Sequence, residues 1–223
     1  GAVSRTGSPY GSGNETRITG RFLIPKISWH DVVFDIISQS STVYTTYLYP
    51  DIRFTEEPFI IPGTKELERT DIIVAIDVSG SISDELYIEF MTEILGMIQQ
   101  VTNVQILLIF FDNEIKKEKF IIKNTDDEYY LRSIKVPNTG GGTLFQPIFD
   151  YMNELYDKGS VEFEDREGRF TNIVAKNIVV LTDGCNADRP REYSRSVIVP
   201  YRIIWIIKPS GCDKPPIGEV YNL

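Results

Sequence analysis

From residue 71 onward, apolar residues come in short dense runs divided by charged turns. Asp71–Asp77 is an apolar stretch closed by an acid, the pattern of a parallel strand buried on both faces. Asn103–Phe111, Asn177–Thr182 and Tyr201–Ile207 repeat it, and Glu219–Leu223 offers a shorter last strand. Glu114–Lys123 alternates instead. With the short Asp112-Asn113 turn before it, that segment reads as an antiparallel edge strand beside 103–111. Between these runs the period changes to that of a helix. Ser83–Val101 has Ser83 as cap, Asp84 and Glu85 in its first turn, and a stripe of Tyr87, Met91, Ile94, Ile98 and Val101. A short helix is expected around Asp126–Ile134. Phe145, Ile148, Phe149, Met152 and Leu155 mark another, with Thr143 near its cap and Pro147 in its first turn. Residues 158–171 are charged and read as an exposed loop. Strands alternating with helices predict an α/β fold: a doubly wound, mostly parallel, Rossmann-like sheet with helices on both faces and one antiparallel edge strand.

Upstream the pattern is weaker. Residues 1–24 begin with a stretch rich in Gly, Ser and Thr and read as a flexible arm or linker. Residues 25–68 form an N-terminal helical extension and a wrapping segment. Ser28 can cap a helix along which Trp29, Val32, Val33, Ile36 and Ile37 recur at helical spacing. A Tyr-rich stretch follows, with one short strand expected near Phe59–Ile61. Residues 69–223 are the main domain, and no internal repeat is evident.

Composition then excludes several chemistries. The net charge is −9, from 32 acidic and 23 basic residues, which argues against a nucleic-acid surface. No apolar run is long enough to span a bilayer, and no signal peptide opens the sequence, so no membrane association and a cytoplasmic location are expected. With one histidine, His30, and two cysteines, Cys185 and Cys212, neither a Cys/His zinc cluster nor an HExxH peptidase motif can be assembled. In a reducing cytosol the two cysteines are expected as free thiols, with a disulfide as the alternative.

What remains is a set of oxygen donors at the carboxyl ends of strands. Three loops carry it: Asp77-Val78-Ser79-Gly80-Ser81, Gly140-Gly141-Gly142-Thr143 and Thr182-Asp183-Gly184. Ser79 and Ser81 lie two apart on a tight turn, so both hydroxyls can face one point, with Gly80 easing the turn. The triple glycine lets Thr143 approach the same point. Asp77 and Asp183 end strands that can lie side by side. An oxygen-only set suits a hard cation, Mg²⁺ or alternatively Mn²⁺ or Ca²⁺. Ligands in such sheets bind at the strands' carboxyl ends, where strand order reverses.

Here the sequence resembles the von Willebrand factor A (VWA) family, whose metal-ion-dependent adhesion site (MIDAS) reads Asp-x-Ser-x-Ser, then a Thr, then an Asp. Asp77, Ser79, Ser81, Thr143 and Asp183 fill the five places in order. The resemblance implies a metal held for binding a partner's exposed Asp or Glu. Over more of the chain, Pro25-Lys26-Ile27-Ser28-Trp29, Pro62-Gly63, Gly140–Pro147 and the stretch from Trp205 to Pro215-Pro216-Ile217-Gly218 are similar to the C-terminal VWA-like domain of bacterial metallopeptidase-like proteins. That resemblance implies a peptidase-like part upstream and a MoxR-type AAA+ ATPase as partner. Leu144 departs from it, since the family commonly has an Asp after the Thr.

The rival readings are weaker. The glycine loop has no following Lys, so the phosphate-loop pattern fails. Ser79 lacks the nucleophile elbow, and only His30 could serve it as base. A metal-dependent hydrolase, or the C-terminal part of a metallopeptidase, is the alternative function, but no positioned general base accompanies it.

Overall fold

The computed structural model describes residues 22–32, 43–50, 62–66, 69–126, 128–137, 141–208 and 215–223, with the strands at 43–50 and 62–66 described by their backbone alone. In chain order the elements are β1 (Val43–Pro50), β2 (Pro62–Glu66), β3 (Thr70–Asp77), α1 (Asp84–Gln100), β4 (Val104–Phe111), β5 (Ile115–Lys123), α2 (Glu128–Ser133), α3 (Gln146–Lys158), β6 (Ser160–Glu164), β7 (Phe170–Val174), β8 (Asn177–Thr182), a 3₁₀ turn (Arg191–Tyr193), β9 (Arg202–Ile207) and β10 (Glu219–Asn222).

Six strands make the central sheet, in the order β10-β9-β8-β3-β4-β5. All neighbours run parallel except β5, which pairs antiparallel with β4 at one edge. The two-residue period of a strand divides its side chains between the two faces. Ile72, Val74 and Ile76 of β3 face one core cluster with α1, Leu131 of α2 and the N-terminal residues Ile27, Trp29 and Val32. Ile73 and Ala75 face the other, with α3 and Ile173 of β7. Helices therefore cover both faces. Strand order reverses between β3 and β8, because β3 leads outward to β4 and β8 leads the opposite way to β9.

Helix α1 starts where its sequence signals place it. Ser83 caps it, its side chain accepting the Leu86 N–H at 3.2 Å, and Asp84 and Glu85 occupy the first turn. Its middle holds a buried acid, Glu93, that fastens the N-terminal segment. The Glu93 carboxylate accepts the Lys26 N–H at 2.7 Å, the Trp29 Nε1–H at 3.0 Å and the Ile27 N–H at 3.4 Å. Gln100 Oε1 accepts the Trp29 N–H at 2.9 Å. The close approach needs Gly96, where a Cβ would lie 2.6 Å from Pro25 Cβ and Cγ. Residues 29–32 are helical, as the spacing around Ser28 predicts; Val33, Ile36 and Ile37 lie outside the described residues, as do most of the 1–24 arm and the strand expected near Phe59–Ile61.

One expectation is corrected. Residues 158–171 are not wholly irregular: β6 and β7 form an antiparallel hairpin. Its turn is set by Asp165, whose carboxylate accepts the Glu167 and Arg169 N–H groups, both at 2.9 Å, and pairs with Lys123 Nζ at 2.7 Å. The Tyr-rich stretch is also a strand, β1, paired antiparallel with β2 in a separate two-stranded sheet.

Candidate metal centre

The three loops meet at the switch point. Asp77 is the last residue of β3 and Asp183 follows the last residue of β8, its pairing partner. The Asp77 carboxylate is fully buried. Its Oδ1 accepts the Ser79 N–H at 2.9 Å and its Oδ2 accepts the Thr182 hydroxyl at 2.7 Å, a bond that ties the first loop to the third. The two serine hydroxyls lie 3.1 Å apart, so they do face a common point. Ser79 is buried and Ser81 exposed. The Gly80 N–H donates to the Gly141 carbonyl at 3.3 Å, linking first loop to second. The Ala187 N–H donates to the Thr143 carbonyl at 2.9 Å, linking third to second. Thr143 and Asp183 are both buried. All five sequence-derived donors thus belong to loops joined directly to one another at one end of the sheet.

Gly80 acts differently from expectation. Gly80 is not needed for the turn: its backbone is not left-handed, and an added Cβ would meet nothing nearer than the Gly141 carbonyl at 3.9 Å. Gly141 is the close-contact position, its would-be Cβ lying 2.9 Å from Asn113 Nδ2 and 3.1 Å from Asp112 Oδ2. The turn after β4 therefore underlies the glycine loop, and the Leu144 N–H reaches the Asp112 carbonyl at 3.0 Å. Gly184 does have a left-handed backbone, φ 82°.

Thr143 does not cap α3. Phe145 holds the cap position without a side-chain bond, and the carboxylate of Asp188, from the third loop, accepts the Phe145 and Gln146 N–H groups instead. Sequence spacing carried no signal for Asp188, because its partners lie more than forty residues upstream.

Burial dominates the electrostatics of Asp77. Burial pushes the Asp77 carboxyl above its ordinary range; hydrogen bonds from Thr182 and Ser79 pull it back, and the negative charge of Asp183 raises it again. Among the described residues no Lys or Arg pairs with Asp77, whose donors are all neutral. A bound cation would offset this repulsion, so the residues fit a hard metal ion. The described residues hold no cluster of three or more His, Cys, Asp or Glu side chains suited to a metal, so a cation at these loops would depend on the hydroxyls for further donors. His30 is exposed on the N-terminal segment, 3.6 Å from Asp31.

Cys185, beside Asp183, is disulfide-bonded, against the expectation of a free thiol. Its N–H donates to Asp183 Oδ1 at 3.0 Å. No described helix is long and apolar enough to cross a membrane.

None of the curated proteins matches the chain. Among solved structures it has a distant likeness to an aerotolerance-related membrane protein from Bacteroides fragilis NCTC 9343, in a form with multiple mutations to serines: 20% identity over 65% of this chain and 71% of that one, with a TM-score of 0.40. The profile of the VWA-like domain (DUF2201) matches residues 72–200, from β3 through all three loops to the segment before β9. That match spans more than half of the 223 residues, and the chain belongs to this VWA-like domain family.

Proposed function

We propose that the chain is a metal-dependent protein-binding domain. One Mg²⁺, replaceable by Mn²⁺ or Ca²⁺, is held by Ser79, Ser81 and Thr143 together with Asp77 and Asp183, directly or through water. An Asp or Glu of a protein partner completes the shell.

The observation that carries this reading is the meeting of two buried acids at the switch point, with Asp77 served only by neutral donors. Burying like charges is costly unless a counter-charge accompanies them. Neutral hydroxyls would not quench the metal's charge, which leaves it able to attract a carboxylate. Mg²⁺ retains exchangeable waters. Ser81 is exposed where Ser79 is buried, which gives the cluster an outward side for an approaching partner. The chain's own groups would hold and orient; the metal, when bound, would supply the positive centre.

The family resemblance points to an AAA+ ATPase of the MoxR type as a candidate for that partner. The experiment that tests the reading is removal of Asp77: the Mg²⁺ site should go while the fold stays.

A further inference from the structure

A centre assembled from three loops keeps its geometry only if the loops are fixed to one another. The loop carrying Thr143 runs straight into α3, and α3 has no cap of its own. Asp188 supplies one from a distance: Oδ1 accepts the Phe145 N–H at 2.9 Å and Oδ2 accepts the Gln146 N–H at 2.7 Å. Asp188 is itself held, since Asn186 Nδ2 donates to its Oδ1 at 3.0 Å and to its carbonyl at 2.6 Å. The neighbouring Ala187 N–H takes the Thr143 carbonyl at 2.9 Å. At its other end, the same loop begins with Asp183, folded over the Cys185 N–H at 3.0 Å.

The stretch Asp183–Asp188 therefore carries one acid of the candidate centre at its start and grips the Thr143 loop at its end. We propose that Asp188 is a positioning residue of the metal centre, fixing the Thr143 loop against the Asp183 loop so that both sets of oxygens face one cation. This rests on the metal-binding reading above. Both Asp188 oxygens are engaged by the start of α3, so Asp188 acts through Thr143 rather than on the metal. A carboxylate at a helix N-terminus makes charge-assisted bonds there, which suits it to hold a loop firmly. The side chains of Gln146, Asp150 and Asn153 of α3 add ties to Arg191 and Glu192, which lie beyond the Asp183–Asp188 stretch.

The test is calorimetric titration of Mg²⁺ into metal-stripped wild type, Asp188→Ala and Asp188→Asn. It is paired with amide hydrogen exchange at residues 141–146 and 183–188 in EDTA. Loss of a group that orients a metal ligand weakens affinity by about 10–100-fold, and Asp188→Ala should fall in that range. Asp188→Asn keeps one oxygen acceptor and should show a smaller but measurable loss of affinity. Exchange should quicken in both loops of the variants. A simple helix cap would quicken exchange in the first turn of α3 and leave Mg²⁺ affinity unchanged; that result overturns the proposal. If Asp188→Ala does not fold, Asp188→Asn decides, and affinity equal to wild type overturns it. A wild type that takes no Mg²⁺ overturns the metal reading and this one with it, and that outcome shows before any variant is compared.

Discussion

Glu93 offers the sharpest test of how the N-terminal segment is held. The side chain is 2% exposed in the middle of α1 and takes donors from a segment more than sixty residues upstream. Glu93→Ala strands two of them, the Trp29 Nε1–H and the Lys26 N–H; the third bond, at 3.4 Å, is too long to weigh equally. A buried donor left without an acceptor costs about 1–3 kcal/mol and the part-buried Lys26 N–H less, so the two together cost about 2–5 kcal/mol. Removing a buried carboxylate returns part of its desolvation cost, and Ala favours the helix by a few tenths, which places the net loss at about 2–4 kcal/mol. In a domain of this size each 1 kcal/mol moves Tm by about 2–4 °C, so a fall of about 4–16 °C is expected. Thermal melting in EDTA reads it, with tryptophan emission as a second channel. Trp29 is fully buried, and its release into water shifts emission to the red. Glu89→Ala is the control. Glu89 bridges Lys26 and Lys208 nearer the surface, where such pairs contribute about 1 kcal/mol or less. A Glu93→Ala variant that melts within about 2 °C of wild type, with unchanged emission, would refute the reasoning.

Two further outcomes follow from the geometry. Lys123 and the backbone N–H of Arg169 hold the Asp165 carboxyl far below its ordinary value of 3.8, so the folded state resists its protonation. Its stabilising effect is therefore full above that value and lost as pH falls below it; in urea unfolding, Asp165→Asn should flatten the acid side of the stability profile, and an unchanged profile would count against the hairpin turn as described. Gly184→Ala puts a side chain on a left-handed backbone, with its Cβ 3.0 Å from Ile207 Cγ2, and should cost about 1–3 kcal/mol in melting while weakening Mg²⁺ through the adjacent Asp183. Wild-type stability in that variant would contradict the strain.

Much of this fold was legible because its strands are buried on both faces. The runs closing at Asp77 and at Thr182 need no tertiary information to be read as parallel strands, and Ser83 with Asp84 and Glu85 signals the start of α1 locally. The candidate centre was legible for the same reason: its five donors sit directly at strand ends and in a glycine loop. What sequence missed depends on distant partners. The β6–β7 hairpin alternates on one face only, and its turn acid is anchored by Lys123, forty-two residues upstream. Glu93 looks like any solvated helical acid until the N-terminal segment arrives. Thr143 was expected near the cap of α3, and nothing local revealed that Asp188 provides the cap. Gly80 looked like the turn-maker, whereas the close approach is at Gly141.

The measurement that bears most directly on the central claim is calorimetric titration of Mg²⁺ into metal-stripped wild type and Asp77→Ala. The account predicts one site in the wild type and none in the variant. It also predicts a variant that stays folded in EDTA, because removing a buried acid that faces Asp183 offsets part of the cost of leaving the Ser79 N–H and the Thr182 hydroxyl without their acceptor. No site in the wild type, or a site that survives the loss of Asp77, would contradict it.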